Sequence, residues 1–337
     1  MAVEKNKNIL EISGLNVIYR TDEETIYAVN NLNLDIRYGE SLGLVGETGA
    51  GKTTTALSVL RLVANPPGEI VSGEIWYEGS NLLKADKKEM RRYRGNEISM
   101  IFQDPMTSLN PVYTVGDQIA EVIKSHNKCG ATEARERAEQ MMETVGIPKE
   151  RYSEYPHQFS GGMKQRVVIA MSIACEPKLI LADEPTTALD VTIQAQVLEL
   201  MNELKEKLQT SMLLITHDLG VVAQVCDRVA IMYAGEIVES GDIVEVYENP
   251  QHPYTIGLFE SIPSLDENVE KLKPIKGQMP DPSDLPEGCA FSPRCPYAQE
   301  CCENRKPEMI QLSGNHKVRC FRAEESASTE TARKDVI

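Results

Sequence analysis

The chain has 337 residues, 41% hydrophobic and 26% charged, the balance of a globular protein with room for two domains. A formal net charge of −16 works against non-specific attachment to nucleic acid or to an anionic membrane surface. No apolar run approaches the roughly 18 residues a membrane span needs. The opening MAVEKNKNILEI lacks the apolar core of a signal peptide, so a cytosolic chain with reduced cysteines is expected.

Residues 8–19 and 31–36 read as strands of an antiparallel edge. The organising stretch follows: Ser41-Leu-Gly-Leu-Val-Gly46-Glu47-Thr48-Gly49-Ala50-Gly51-Lys52-Thr53-Thr54. It reads as a buried strand, a glycine-rich loop and the start of a helix reaching about Leu62. Glycines let successive backbone N–H groups point inward at phosphate oxygens, and the helix turns its positive end to the same anion. Lys52 can reach the β- and γ-phosphates, and the Thr53 hydroxyl can ligate the magnesium ion they carry. The stretch predicts a nucleoside triphosphate site.

Residues 68–79 carry a strand-pair signal, 86–94 a short basic helix and 97–102 a strand. From about 115 to 145 the period is helical, with Ala134, Ala138, Met141, Met142 and Val145 on one apolar face and a break at Gly130 and Thr132. This reads as a helical insertion between strands of one sheet. The alternation then resumes, with helices near 160–174, 191–207 and 218–225 and strands at 178–182, 212–215, 228–232 and 236–239. It predicts a largely parallel sheet covered on both faces. From about 261 prolines crowd the chain and five of the eight cysteines fall between 289 and 320. That is a loop-rich extension with too little apolar surface to hold itself together, and residues from Glu324 onward are expected to be disordered.

Leu179-Ile-Leu-Ala-Asp183-Glu184-Pro185 is an apolar strand delivering two carboxylates at its C-terminal end, the edge where open α/β sheets bind ligands. Asp183 suits a magnesium ion, and Glu184 suits the water that attacks the γ-phosphate. His217 leaves the strand Leu213–Thr216 at the corresponding place. A lone histidine there is most often structural, but on a neighbouring strand edge it can contact the γ-phosphate. Gln103 ends a third strand with an amide that can touch metal or water. Ser160-Gly161-Gly162-Met-Lys-Gln165 opens a helix with a good N-cap and a second anion-binding end. A second phosphate-binding end with only one set of carboxylates suggests a nucleotide held by another subunit.

Taken in order, Gly46–Thr53, Gln103, Ser160–Gln165, Asp183-Glu184, Ala188-Leu189-Asp190 and His217 resemble the phosphate loop, Q-loop, signature, carboxylate motif, D-loop and switch histidine of ATP-binding-cassette ATPases. The resemblance covers about residues 8 to 250 and is specific, because six motifs occur in the family's order. It implies an α/β phosphate-loop ATPase with an antiparallel β edge, spanning residues 1–260, with a helical subdomain inserted at about 104–158. It also implies ATP and Mg2+ as ligands, and two cassettes arranged head to tail, so that Ser160, Gly161 and Gly162 close over the partner's ATP. Tyr19 is the residue it implies for stacking on adenine, with Tyr27 as the alternative. Phe159 and Met163 stand where the family usually has leucine and glutamine.

Asn249-Pro-Gln-His252-Pro-Tyr254-Thr255, Gly277-Gln-Met-Pro and Gly288-Cys289 through Cys295-Pro-Tyr297 resemble the ATPase subunits of bacterial oligopeptide, dipeptide and nickel importers. The resemblance assigns residues 261–337 to their C-terminal extension. It implies a peripheral protein on the cytoplasmic face of the membrane. Its partners would be a second ATPase, by family habit a paralogue, two membrane permeases and an extracytoplasmic binding protein for the solute. Cassette machines working on ribosomes or DNA carry two cassettes or coiled-coil arms; this chain has one cassette, no heptads and no basic surface, so no nucleic-acid partner is expected.

Cys289, Cys295, Cys302 and Cys320 have spacings of five, six and seventeen intervening residues in a segment with almost no core, which marks them as metal ligands. Structural zinc sites show close Cys-x₂₋₄-Cys pairs, and these four form none. Proline after Cys295 fits an iron–sulfur ligand, and the importer ATPases resembled here include members with a four-iron cluster. A 4Fe–4S cluster on these four is therefore expected, with Cys301 spare and Zn2+ as the alternative.

Overall fold

The computed structural model describes residues 7–187, 189–261 and 274–324, without the side chains of Pro105 and Met106. Ala188, Pro263 and the tail after Glu324 lie outside the described residues.

β1 (Asn8–Arg20) and β2 (Thr25–Arg37) are long antiparallel strands in which buried and exposed residues intermix, as a sheet with one covered face requires. β3 (Ser41–Val45) is buried at every residue and runs into the glycine-rich loop and α1 (Lys52–Val59). β4 (Gly68–Tyr77) pairs with β1 and β5 (Ser80–Asn81) with β4, giving a smaller sheet in the order β2-β1-β4-β5. The strand pair expected over 68–79 is mainly this one long strand. Gly73, at φ +105, sits where the register against β1 shifts, so it makes a bulge instead of a turn.

α2 (Lys87–Tyr93) is closed by a reciprocal cap between Asp86 and Glu89, and β6 (Ile98–Ile101) follows. The insertion is helical as expected: α3 (Pro105–Ser108), α4 (Val115–His126) and α5 (Ala131–Thr144), the last begun by Gly130. Ala134, Ala138, Met142 and Val145 are buried against α4 and its neighbours, with Met141 half-buried beside them. α6 (Gly161–Ile173), β7 (Leu179–Asp183), α7 (Val191–Leu208), β8 (Ser211–Thr216), α8 (Leu219–Val225) and β9 (Arg228–Tyr233) complete the alternation. β6, β7, β8, β3 and β9 are parallel neighbours in that order. β7, β8 and β9 are buried throughout, because helices cover one face and the smaller sheet packs on the other.

β10 (Glu236–Asp242) folds back antiparallel on β9, followed by α9 (Ile243–Glu248) and α10 (Pro253–Glu260), neither of which stands out in the sequence pattern. The extension contains α11 (Glu300–Asn304), β11 (Ile310–Ser313) and β12 (His316–Val318). A loop-rich segment was expected; here a hairpin forms, and β12 pairs with β10, so the large sheet runs β11-β12-β10-β9-β3-β8-β7-β6. The extension thus holds by joining the edge of the main sheet.

Glu239 fastens this edge. Fully buried, its carboxylate accepts from the backbone N–H of Gln251 (2.7 Å) and His252 (2.9 Å) and lies 2.7 Å from His316 Nε2. Glu239→Ala strands three buried donors and should lower stability in urea unfolding by roughly 3–5 kcal/mol. Glu239→Gln keeps one acceptor oxygen and should cost less.

Candidate active site

The strand order brings four chain exits to one edge of the sheet. β6 leads to Gln103, β7 ends in Asp183 and Glu184, β8 leads to His217 and β3 to the glycine-rich loop. All are C-terminal ends of adjacent parallel strands, the edge where such sheets place ligands.

The loop is shaped by close backbone approach. A Cβ on Gly46 would lie 2.2 Å from the Met232 carbonyl oxygen, and one on Gly51 (φ +102) would lie 2.2 Å from that of Ala28. Ala50 is fully buried beneath the loop. Lys52 is buried and folds over the loop, its Nζ donating to the carbonyls of Gly46 (2.6 Å) and Glu47 (3.0 Å). Burial pulls its pKa down, against the opposing charges of Glu184, Asp183 and Glu47. An ammonium in that position is held by weak acceptors, which a triphosphate can replace.

Asp183 is 2% exposed, and its Oδ1 has no hydrogen-bond partner among the described residues. Burial raises its pKa and Glu184 adds to this, while the Thr53 hydroxyl and Lys52 pull it back. An orphaned carboxylate oxygen beside a threonine hydroxyl is the donor set a magnesium ion takes, so the residues present fit the ion.

Glu184 is held differently. Its backbone is left-handed, φ +46, a strained conformation for a glutamate that aims its side chain out of the strand end. Gln103 Nε2 and the Thr187 hydroxyl both donate to Oε2 at 2.9 Å, and His217 Nδ1 lies 3.2 Å from Oε1. Burial alone would raise its pKa, but hydrogen bonds from His217, Thr187 and Gln103 and the His217 charge outweigh it, and the net shift is downward. Asp183 is thus a desolvated carboxyl, and Glu184 a carboxylate held by hydrogen bonds on three sides.

An open cleft of ≈ 250 Å³ is lined by Ala28, Thr48, Gly49, Gly51, Lys52, Thr53, Thr54, Gln103, Glu184 and His217, while Asp183 and Thr187 are not part of that lining. Ala28 and Thr187 were not among the sequence candidates: nothing in an alanine, or in a threonine after proline, marks such a role. Tyr19 stands at the side, its hydroxyl 3.2 Å from the Thr54 hydroxyl, and Tyr27 is half-exposed on β2. Ser160, Gly161 and Gly162 are absent from the cleft's lining. Ser160 caps α6 by accepting from the Met163 N–H, and a Cβ on Gly162 would lie 2.4 Å from Ile193 Cγ2. The Arg151 guanidinium lies 4.2 Å over the Phe159 ring and 3.3 Å from Met163 Sδ, so both departures from the usual signature are packed into the helical subdomain.

A second convergence lies in the extension. Cys289, Cys295, Cys302 and Cys320 line one pocket with Phe291, Tyr297 and Phe321, while Cys301 stays outside it. The thiols of Cys289, Cys295 and Cys320 are pushed up, first by burial and then by the charge of their neighbours in the group, Cys289 to about 11. Among the described residues, no three His, Cys, Asp or Glu side chains converge closely enough to hold a single metal ion.

Fold and cleft together define a nucleotide-binding cassette ATPase. The solved dimeric ATP-binding cassette MJ0796, in a post-hydrolysis state with ADP and Pi, superposes with a TM-score of 0.62 at 27% identity over 69% of this chain and 98% of that one. CbiO1 from Clostridium perfringens, part of an ABC transporter complex, gives 0.62 at 26% identity over 75% of this chain and 96% of its own. Residues 29–187 match the ABC transporter family model, and 238–302 match the oligopeptide/dipeptide transporter C-terminal region. The oligopeptide transport ATP-binding protein AppD of Bacillus subtilis is 47% identical over 96% of this chain and 99% of its own length. OppD of the same organism is 49% identical over 93% and 88%, and a putative peptide import ATP-binding protein of Brucella melitensis 48% over 95% and 98%. The chain belongs to the ABC transporter ATPases that carry the oligopeptide/dipeptide C-terminal region. No described helix is long and apolar enough to cross a membrane.

Because His217 is foremost among the groups that lower the Glu184 pKa, its removal must let that pKa rise. His217→Ala should move the acid limb of ATP turnover to higher pH, in addition to lowering the plateau. A pH–rate profile of kcat/KM checks the direction.

Proposed function

We propose that this protein is the ATP-hydrolysing subunit of an importer that takes peptides across the cell membrane. The match of residues 238–302 to the oligopeptide/dipeptide region carries the choice of solute, supported by relatives named for oligopeptide and peptide import. The alternatives are a nickel importer, disfavoured by the names of these relatives, and a cassette outside transport, disfavoured by the C-terminal match.

In this reading the glycine-rich loop and the first turn of α1 hold the triphosphate, and Lys52 leaves the loop carbonyls for the β- and γ-oxygens. Thr53 and Asp183 would hold Mg2+, with Gln103 proposed as a further ligand, and the ion would supply charge neutralisation to the phosphoryl oxygens. Glu184 accepts the proton of the attacking water, held in orientation by Thr187, Gln103 and His217. Tyr19 is proposed as the adenine platform. Ser160 and Gly161, both exposed, and the buried Gly162 lie outside their own cleft and would complete the site of a second, paralogous ATPase. The dimeric cassette to which the chain is similar supports that arrangement.

Contact with two membrane permeases is proposed at the helical subdomain. Where that subdomain meets α6 and β6, Leu62, Met100, Phe102, Val122, Val168 and Met171 line a mainly apolar groove of ≈ 310 Å³, and Val112 and Tyr113 are exposed on the subdomain itself. The protein would lie on the cytoplasmic face, with an extracytoplasmic peptide-binding protein reached through the permeases.

Glu184→Gln keeps size and hydrogen bonding but removes the base. ATP should still bind while turnover in the assembled transporter falls roughly 10²–10⁴-fold; near wild-type turnover would reject the role.

A 4Fe–4S cluster on Cys289, Cys295, Cys302 and Cys320 is proposed, with Zn2+ as the alternative; that the four line one pocket supports a shared role. Such a cluster would cross-link a segment that has little core of its own. Anaerobically purified protein should be brown, with broad absorbance near about 400 nm that disappears in Cys295→Ser. Colourless protein with one stoichiometric zinc would reject the cluster.

A further inference from the structure

An acidic residue in a phosphate-binding loop is a liability. Glu47 follows Gly46 directly, so a carboxylate stands in the loop that must receive an anion. The structure answers this from the far end of the chain. Arg294, whose side chain is 5% exposed, points Nη1 at both Glu47 carboxylate oxygens, 3.1 Å from each. The guanidinium is itself fixed: Nε donates to the Lys276 carbonyl at 3.0 Å, and Nη1 lies 3.3 Å from the Tyr233 hydroxyl. Two further residues press on the same loop. The Tyr254 hydroxyl accepts from the Glu47 N–H at 3.0 Å, and the Met279 methyl lies 3.1 Å from where a Cβ on Gly49 would stand.

From these contacts we infer that Arg294 is a positioning residue of the nucleotide site. By pairing with the Glu47 carboxylate it offsets that charge against the incoming triphosphate, and it makes the extension one wall of the loop. The inference rests on the nucleotide reading of the cleft and adds a residue to it from outside the cassette motifs. An arginine with this role is not replaceable by a neutral residue unless the glutamate is neutralised too.

The test is equilibrium titration of the full-length chain with Mg2+ and a fluorescent ATP analogue, with KM and kcat read in the assembled transporter. Arg294→Ala should raise the dissociation constant and KM roughly 5- to 10-fold, about 1.0–1.4 kcal/mol, while kcat at saturation stays within about twofold. Arg294→Lys should recover much of the loss. The double variant Arg294→Ala with Glu47→Gln should return affinity to within about twofold of wild type, a suppression that damage to the fold cannot produce. If Arg294→Ala does not fold, Glu47→Gln alone decides: affinity unchanged or tighter supports the inference, and a 5-fold loss overturns it. Wild-type affinity in Arg294→Ala overturns it, as does a double variant that stays as weak as the single. A wild-type chain that binds no nucleotide would overturn the ATPase reading, and this inference with it.

Discussion

The structure depends on keeping two carboxylates and one ammonium close together and partly out of water. Lys52 and Asp183 are both almost completely buried, and burial works against the charged form of each. Each offsets part of the other's penalty. The parallel order β6-β7-β8-β3 supplies this geometry, since it sets the exits of the four strands side by side and leaves helices to exclude solvent behind them. What remains uncompensated, one Asp183 oxygen and a lysine resting on carbonyls, is the capacity the site keeps for its ligand.

Neighbouring residues Asp183 and Glu184 are driven in opposite directions by environment alone. The first points inward from a buried strand, where desolvation rules, and the second lies past the strand end in a left-handed turn surrounded by donors. One peptide unit therefore separates a carboxyl whose pKa is raised from one whose pKa is lowered. The strain in the Glu184 backbone is tolerated because its N–H is tied to the Ile215 carbonyl at 2.8 Å and its side chain is held at three points.

Much of this was legible in the sequence because the chemistry requires contiguous residues. Gly46 through Thr54 and Asp183-Glu184 each occupy one strand end, and apolar strands followed by such residues can be recognised without coordinates. Groups that act through tertiary contact were not legible. The Ala28 carbonyl that excludes any side chain at Gly51, the Thr187 hydroxyl and Arg294 carry no local signal. The hairpin β11–β12 was hidden because strands of four and three residues fall below any readable period, and they exist only through pairing with β10. The bulge at Gly73 misled in the other direction, since a glycine inside a strand resembles a turn until its partner strand is seen.

Sequence separation in this fold has a consequence for synthesis. The phosphate-loop strand β3 emerges early, yet both its neighbours, β8 and β9, lie between residues 211 and 233. The Arg294–Glu47 contact spans 247 residues and that of Arg37 with Asn315 spans 278. On the ribosome the central strand waits unpaired for most of elongation, its apolar residues exposed, and folding is dominated by late, long-range closure. A nascent chain halted anywhere short of the extension would present a glycine-rich loop with its acid unmasked. The loop and the arginine that pairs with its acid are therefore made at widely separated times.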